Sequence, residues 1–179
     1  MYFYNPDKDY VTGFNLVNKI VAGLSPPFSH VELQFPFGMA CSIVMNETVR
    51  IRESTFDPEF YTGVVLHAPP QAVFKMLALT QLHVERGIPF GVIAGHTFCS
   101  KLVAELLRDS GLVSANVLTD THTQTFISPS ALYEKVSHRL PGHKEISHLY
   151  QGRKSAEALF SSETGIHYTF SSKFSSRVC

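Results

Sequence analysis

Between residues 29 and 54 the chain reads SHVELQF, MACSIVM and TVRIRES, three short runs separated by PFG and by NE. This stretch constrains the fold more than any other. Each run has strand composition, and the third alternates clearly between apolar and polar residues. PFG and NE are turn signals, so the segment predicts consecutive antiparallel hairpins. Such a sheet needs a second layer to cover its apolar face. TGVVLHA predicts a fourth strand, ended by Pro69 and Pro70. Residues 70–86 then read as a helix, with Val73, Leu77, Leu82 and Val84 apolar and RGIPFG closing it. Leu102, Val103, Leu106 and Leu107 form a helical stripe that runs from Cys99 to Gly111. Upstream, Phe14, Val17, Ile20, Val21 and Leu24 share one face of a predicted helix over 10–24, which SPPF breaks because Pro cannot continue it. TQTFISPSALYEKV predicts a strand-like piece and then a short helix, with Ser128 as N-cap and Pro129 at the first helical position. There are no internal repeats. The expected class is α+β, an antiparallel sheet packed against helices.

At 179 residues the chain is long enough to bury a core without disulfide or metal staples. We read 1–140 as one domain and 141–179, with its SSETGIHYTFSSKFSSRVC end, as a Ser-rich extension that either belongs to the same domain or is partly ordered. Fifteen basic residues balance fifteen acidic ones, which removes any global electrostatic case for nucleic acid or an anionic membrane. No run approaches the ~18 apolar residues of a membrane span, and MYFYNPDKDY carries charge and Pro where a secretory signal would be apolar. Three cysteines, Cys41, Cys99 and Cys179, are an odd count at wide spacing rather than a disulfide framework. Together these features predict a soluble protein of a reducing compartment.

Cys99 opens its helix directly after GHTF. A cysteine there has two readings: a small buried apolar residue, or a thiolate stabilised by the first-turn N–H groups and any nearby imidazole. His30 favours the second. It stands at the start of a strand just after a Pro–Pro break, and a strand start lies where a side chain can meet a helix N-terminus. A Cys at a helix start and a His at a strand start make a nucleophile–base pair. A third group is needed to orient the imidazole. Strand alternation puts His30, Glu32 and Gln34 on one face. If PFG closes a hairpin, Ser42 lies across from Glu32. If NE closes the next, Glu53 shares that face one strand further away. Glu32, Ser42 and Glu53 are therefore all candidates, with Glu32 favoured because it is two residues from His30.

FSHVELQFPFGMACSIV, VRIRE, GIPFGVIAGHTFCSKLVAELLRDSGL and ISPSALY, in this order, resemble a circularly permuted papain-like family, the permuted relatives of NlpC-type cell-wall peptidases. Its members occur in bacteria, phages and large DNA viruses, poxviruses among them. The resemblance covers roughly residues 26–135, and SHVEL and FCSKLVAELL are its most specific pieces. It implies a permuted papain-like fold with the nucleophile at a helix N-terminus, Cys99 as nucleophile, His30 as base and an acidic third residue. No cofactor is expected, and no metal, because the single His96–Cys99 spacing is poor for a structural zinc site. Where members usually read Cys-Ser-Glu-Leu-Val, this chain has Lys101 in place of the Glu, which bears on substrate contacts rather than on the nucleophile. The implied activity is that of a thiol hydrolase or acyltransferase working through an acyl-enzyme on a peptide, amide or lipid ester, and the viral members add a virion location to the cytoplasmic one.

Two other classes stand beside this. A papain-like domain with an unused dyad would be a binding or virion-associated protein. A metal-binding protein would use His96 and Cys99, three residues apart, with His67, His83 and His122 in reserve, although structural zinc usually shows two paired ligand motifs. Cys41, on the strand face opposite Ser42, reads as a small buried residue, and His138, His143 and His148 as a solvated cluster.

Overall fold

The computed structural model describes residues 1–6, 26–53, 56–57, 59–92, 94–118, 127–139 and 144–146. The helix predicted over 10–24 and the strand-like piece before Ile127 lie outside these. The chain divides into units Met1–His148 and Leu149–Cys179, and every described residue belongs to the first.

This unit is α+β. Six antiparallel strands form its sheet: β1 (Tyr2–Tyr4), β2 (His30–Gln34), β3 (Met39–Ser42), β4 (Arg50–Glu53), β5 (Tyr61–Val65) and β6 (Lys144–Ile146), in the spatial order β4-β3-β2-β1-β5-β6. Among the described residues four helices accompany them: α1 (Pro70–Glu85), α2 (Cys99–Asp109), α3 (Ala115–Leu118) and α4 (Pro129–Arg139). The four strands and three longer helices expected from the sequence are present. The sheet also takes β1 from the N-terminal residues, where no element is expected from the residue pattern, and β6 from beyond residue 140. No helix among the described residues is long and apolar enough to cross a membrane.

The PFG hairpin joins β2 to β3 as expected. Phe35 N–H donates to Met39 O at 2.8 Å, and Gly38 takes the left-handed φ of 78° that closes the turn without steric penalty. Leu33 faces Cys41 and Gln34 faces Ala40. The β3–β4 connection differs from the two-residue turn expected at Asn46–Glu47. The last pair is Ser42 with Arg50, so seven residues intervene, and Met39 faces Glu53 while Ala40 faces Arg52. A register one residue from the expected one exchanges the two faces of β4.

One face of the sheet and the helices share the core. Phe3, Val31, Leu33, Cys41 and Val64 meet Leu102, Val103, Leu106 and Leu107 of α2, all buried. α2 therefore lies along β2, with Cys99 at the end that meets His30. In α1 the buried row is Ala72, Met76 and Thr80. Val73, Leu77 and Val84 are only partly buried and Leu82 is exposed, so the helix leans on the core through a different row from the apolar one its sequence displays. At α4, Ser128 caps as predicted, its Oγ accepting from Ala131 N–H at 3.1 Å.

Candidate active site

The site is built where β2 begins and α2 begins. Cys99 is the first residue of α2, after Phe98 in extended conformation, and no side chain caps the helix. Its first-turn N–H groups are therefore left to whatever sits at the helix mouth. Two backbone donors reach the Cys99 sulfur: Ser100 N–H from the helix itself and Val31 N–H from β2. Val31 is free to do this because β3 ends at Ser42, before its ladder with β2 reaches that far.

His30 bridges thiol and acid. Its Nε2 lies 3.3 Å from Glu32 Oε1, and the ring is also hydrogen-bonded to the Cys99 thiol. The His30 side chain is 14% exposed and that of Glu32 1%. Burial opposes a charge on His30, but the Cys99 thiolate and then Glu32 outweigh it and raise its pKa to about 10. Burial likewise works against the Cys99 thiolate. The His30 charge and hydrogen bond, with the Val31 and Ser100 N–H groups, overcome it and hold the thiol below its ordinary value. The two displacements describe one interaction, an imidazolium beside a thiolate. Cys41 is the contrast: burial pushes its thiol up to about 12, and the Thr80 hydroxyl only partly offsets this.

Glu32 is drawn toward its neutral form by burial, yet His30 and then Arg52 keep its carboxyl below the usual carboxylate range. Arg52 Nη2 donates to Glu32 Oε1 at 3.0 Å, the same oxygen that meets His30. The structure thus brings together Cys99, His30 and Glu32. Ser42 extends the β2–β3 register opposite Glu32, and its Oγ is buried without a hydrogen-bond partner among the described residues. Glu53 does not share this face. The β4 register turns it to the other side, exposed, and puts Arg52 on the face where Glu53 was expected. The third candidate strand thus brings a cation to Glu32 instead of a second acid.

Two serines fix how the pieces meet. Ser100 Oγ donates to Ile127 O at 2.6 Å. Ser130 Oγ accepts from Phe28 N–H at 3.0 Å and donates to Phe28 O at 3.3 Å. One ties the residue beside Cys99, and the other the residue two before His30, to the start of α4. Phe3, Phe28 and Tyr133 pack ring on ring beneath them, with centroids 4.7–5.5 Å apart.

His96, the other half of the metal reading, is turned away from Cys99. Its Nδ1–H donates to Phe90 O at 3.2 Å, and the ring packs so closely on Gly91 that a Cβ there would lie 2.6 Å from Nδ1. No group of three or more His, Cys, Asp or Glu is placed to hold a metal ion among the described residues. Lys101 Nζ donates to His96 O at 3.1 Å, which pins the loop before Cys99 to the first turn of α2. A surface cleft of about 550 Å³ lies beside this loop, lined by Asn46, Glu47, Thr48, Arg50, Pro89 and Phe90. Comparison of the chain with protein-family models, curated proteins and solved structures finds no match.

Proposed function

We propose that this protein is a thiol hydrolase or acyltransferase of permuted papain-like architecture, with Cys99 as nucleophile, His30 as acid–base and Glu32 as the group that orients His30. The observation that carries the reading is one arrangement: Cys99 opening α2 without a side-chain cap, His30 hydrogen-bonded to its thiol, and the buried Glu32 carboxylate 3.3 Å from the same ring, which together hold the thiol low and the imidazole high. A cysteine that only fills a core has no reason to be surrounded this way, as Cys41 illustrates.

The steps follow from the atoms. The Cys99 thiolate attacks a carbonyl carbon, forming the S–C bond, and the Cys99 N–H at the mouth of α2 donates to the oxyanion. The imidazolium gives its proton to the departing amine or alkoxide, and the C–N or C–O bond breaks. His30, now neutral, takes a proton from water or another acceptor as it attacks the acyl-enzyme, and the thiolate leaves. Glu32 holds the ring throughout. Peptide, amide and ester carbonyls all satisfy this sequence.

The test is labelling with iodoacetamide at mildly acidic pH, mapped by mass spectrometry, followed by a panel of peptide, amide and lipid ester electrophiles. Cys99 is expected to react well ahead of Cys41 and Cys179, and His30→Ala to slow Cys99 at neutral pH by at least about tenfold, since the thiolate loses its cation. Preferential labelling of another cysteine would sink the nucleophile. A reactive Cys99 that no acyl donor modifies would leave a binding domain with an unused dyad.

A further inference from the structure

Two cations lean on one oxygen of Glu32. Its Oε1 meets His30 Nε2 at 3.3 Å and Arg52 Nη2 at 3.0 Å, while the buried Oε2 has no hydrogen-bond partner among the described residues. The shorter contact is the one to Arg52. Arg52 stands on β4, with β3 between it and β2, so it spans about 10 Å between strand axes to get there. It can do so because β3 presents only Ala40 and Ser42 on that face, and neither is long enough to block a guanidinium. Its own side chain is 43% exposed, whereas the carboxylate it reaches is 1% exposed. An exposed arginine that crosses a strand to a buried acid is poorly explained as a surface ion pair, which stabilises little. A carboxylate buried beside a histidine alone, in contrast, is free to take up a proton or to swing its broad terminal torsion and turn the wrong oxygen to the ring.

We propose that Arg52 is a positioning residue of the Cys99 site: it holds Glu32 as a carboxylate with Oε1 toward His30, and so keeps the thiolate–imidazolium pair assembled under acidic conditions. The inference rests on the acyl-transfer reading of Cys99 and His30, and adds one residue to it. Among the described residues, the titratable and charged groups around Glu32 come from β1, β2, β3, β4 and α2. β2 supplies His30, with Cys99 of α2 beyond it. β4 supplies Arg52 and, on the same face, Arg50, which is paired with Glu47. β3 contributes the Cys41 thiol, whose own pKa Glu32 helps to raise, and β1 contributes Tyr2, directly across from Glu32. Of these, only His30 and Arg52 form an ion pair with Glu32.

The sign of the effect follows. Without Arg52 the buried carboxyl takes up its proton at a higher pH than in the native protein. Once neutral it no longer supports the imidazolium, and Cys99 keeps its proton. The acid limb of Cys99 reactivity therefore moves to higher pH. At alkaline pH, where Cys99 is a thiolate and Glu32 is charged with or without Arg52, the alkylation rate is unchanged. A residue that merely braced the sheet would change the rate at every pH and leave the acid limb where it is.

The experiment is the pH profile of Cys99 alkylation by iodoacetamide in the full chain, followed at Cys99 by mass spectrometry. Arg52→Gln is expected to shift the acid limb upward by about one unit or more, seen as a loss of about tenfold in rate on that limb. Arg52→Lys keeps the charge and restores most of the shift. In a Glu32→Gln background, Arg52→Gln is expected to move the limb no further, since no carboxylate remains for it to hold. An acid limb unmoved by Arg52→Gln, or moved equally in the Glu32→Gln background, overturns the proposal. Should Arg52→Gln fail to fold, two comparisons still decide. Arg52→Lys must keep the native limb, and the double variant, which buries no uncompensated charge, must match Glu32→Gln; a departure in either overturns it. A native Cys99 with the profile of an ordinary thiol is a different result, and removes the acyl-transfer reading itself.

Discussion

At the scale of the residue, His30 sets the range of pH over which the site exists. Its pKa is raised to about 10 from an ordinary 6.5, so its contribution to stability is full below about 6.5 and is lost as the pH rises through about 10. Cys99 is lowered from 9.0, so its contribution is full above about 9 and is lost as the pH falls through its titration in the folded protein. Counted once, as a single pair, they give a plateau between those two ordinary values. Cys99→Ser removes the thiolate and with it the pair. The difference in unfolding free energy between native protein and Cys99→Ser, measured by urea titration across pH, is expected to be widest on the plateau and to close above about pH 10. A difference that is flat with pH, or grows above that point, excludes the ion pair. Much of this was legible in the chain: the helix mouth at Cys99, the strand start at His30 and the period of two that joins His30 to Glu32 are all local patterns. Arg52 was not, although TVRIRES displays it. Whether Arg52 or Glu53 faces Glu32 depends on the parity of the β3–β4 connection. NE reads as a two-residue turn, whereas the ladder opens at Ser42 and Arg50, and no residue in between announces that.

At the scale of the element, α4 does work that its amphipathic pattern does not reveal. Its capping Ser128 and N1 Pro129 are legible because capping is a local preference. The bonds from Ser130 to Phe28 and from Ser100 to Ile127 are not, since they join residues 102 and 27 positions apart. Removing a hydroxyl strands the buried backbone groups it served. Ser130→Ala leaves both the N–H and the carbonyl of Phe28 without it and is expected to destabilise by about 2–3 kcal/mol; Ser100→Ala leaves only the Ile127 carbonyl and is expected to lose about 1–2 kcal/mol. Urea midpoints check the order, and Ser100→Ala ahead of Ser130→Ala would show that the bond to Ile127 is the stronger tie.

At the scale of the whole unit, the three residues of β1 hold the sheet together. β1 pairs with β2 on one side and β5 on the other, so the strand that carries His30 reaches β5 and β6 only through it. Phe3 is its anchor, fully buried and packed on Phe28 and Tyr133. Phe3→Ala is expected to lose about 3–5 kcal/mol. Because the same rings back the site, Cys99 hyper-reactivity and far-UV dichroism should disappear at the same urea concentration in native protein and variant alike. Reactivity lost well before the dichroism would mean that the site opens independently of the sheet.

The two serine ties carry a further consequence. Cys99 and His30 are far apart in the chain, yet each is fastened within two residues to the start of α4, by short bonds that do not pass through the β2–β3 or β3–β4 loops. Those loops can therefore lengthen or shorten without altering the distance between thiol and imidazole. Residues inserted at the exposed Met45–Asn46 tip are expected to leave the thiol and the imidazole in place. In an engineer's terms that tip is a grafting point: a library of loops inserted there should reshape the cleft lined by Asn46, Glu47, Thr48, Arg50, Pro89 and Phe90 while leaving Cys99 and His30 as they stand.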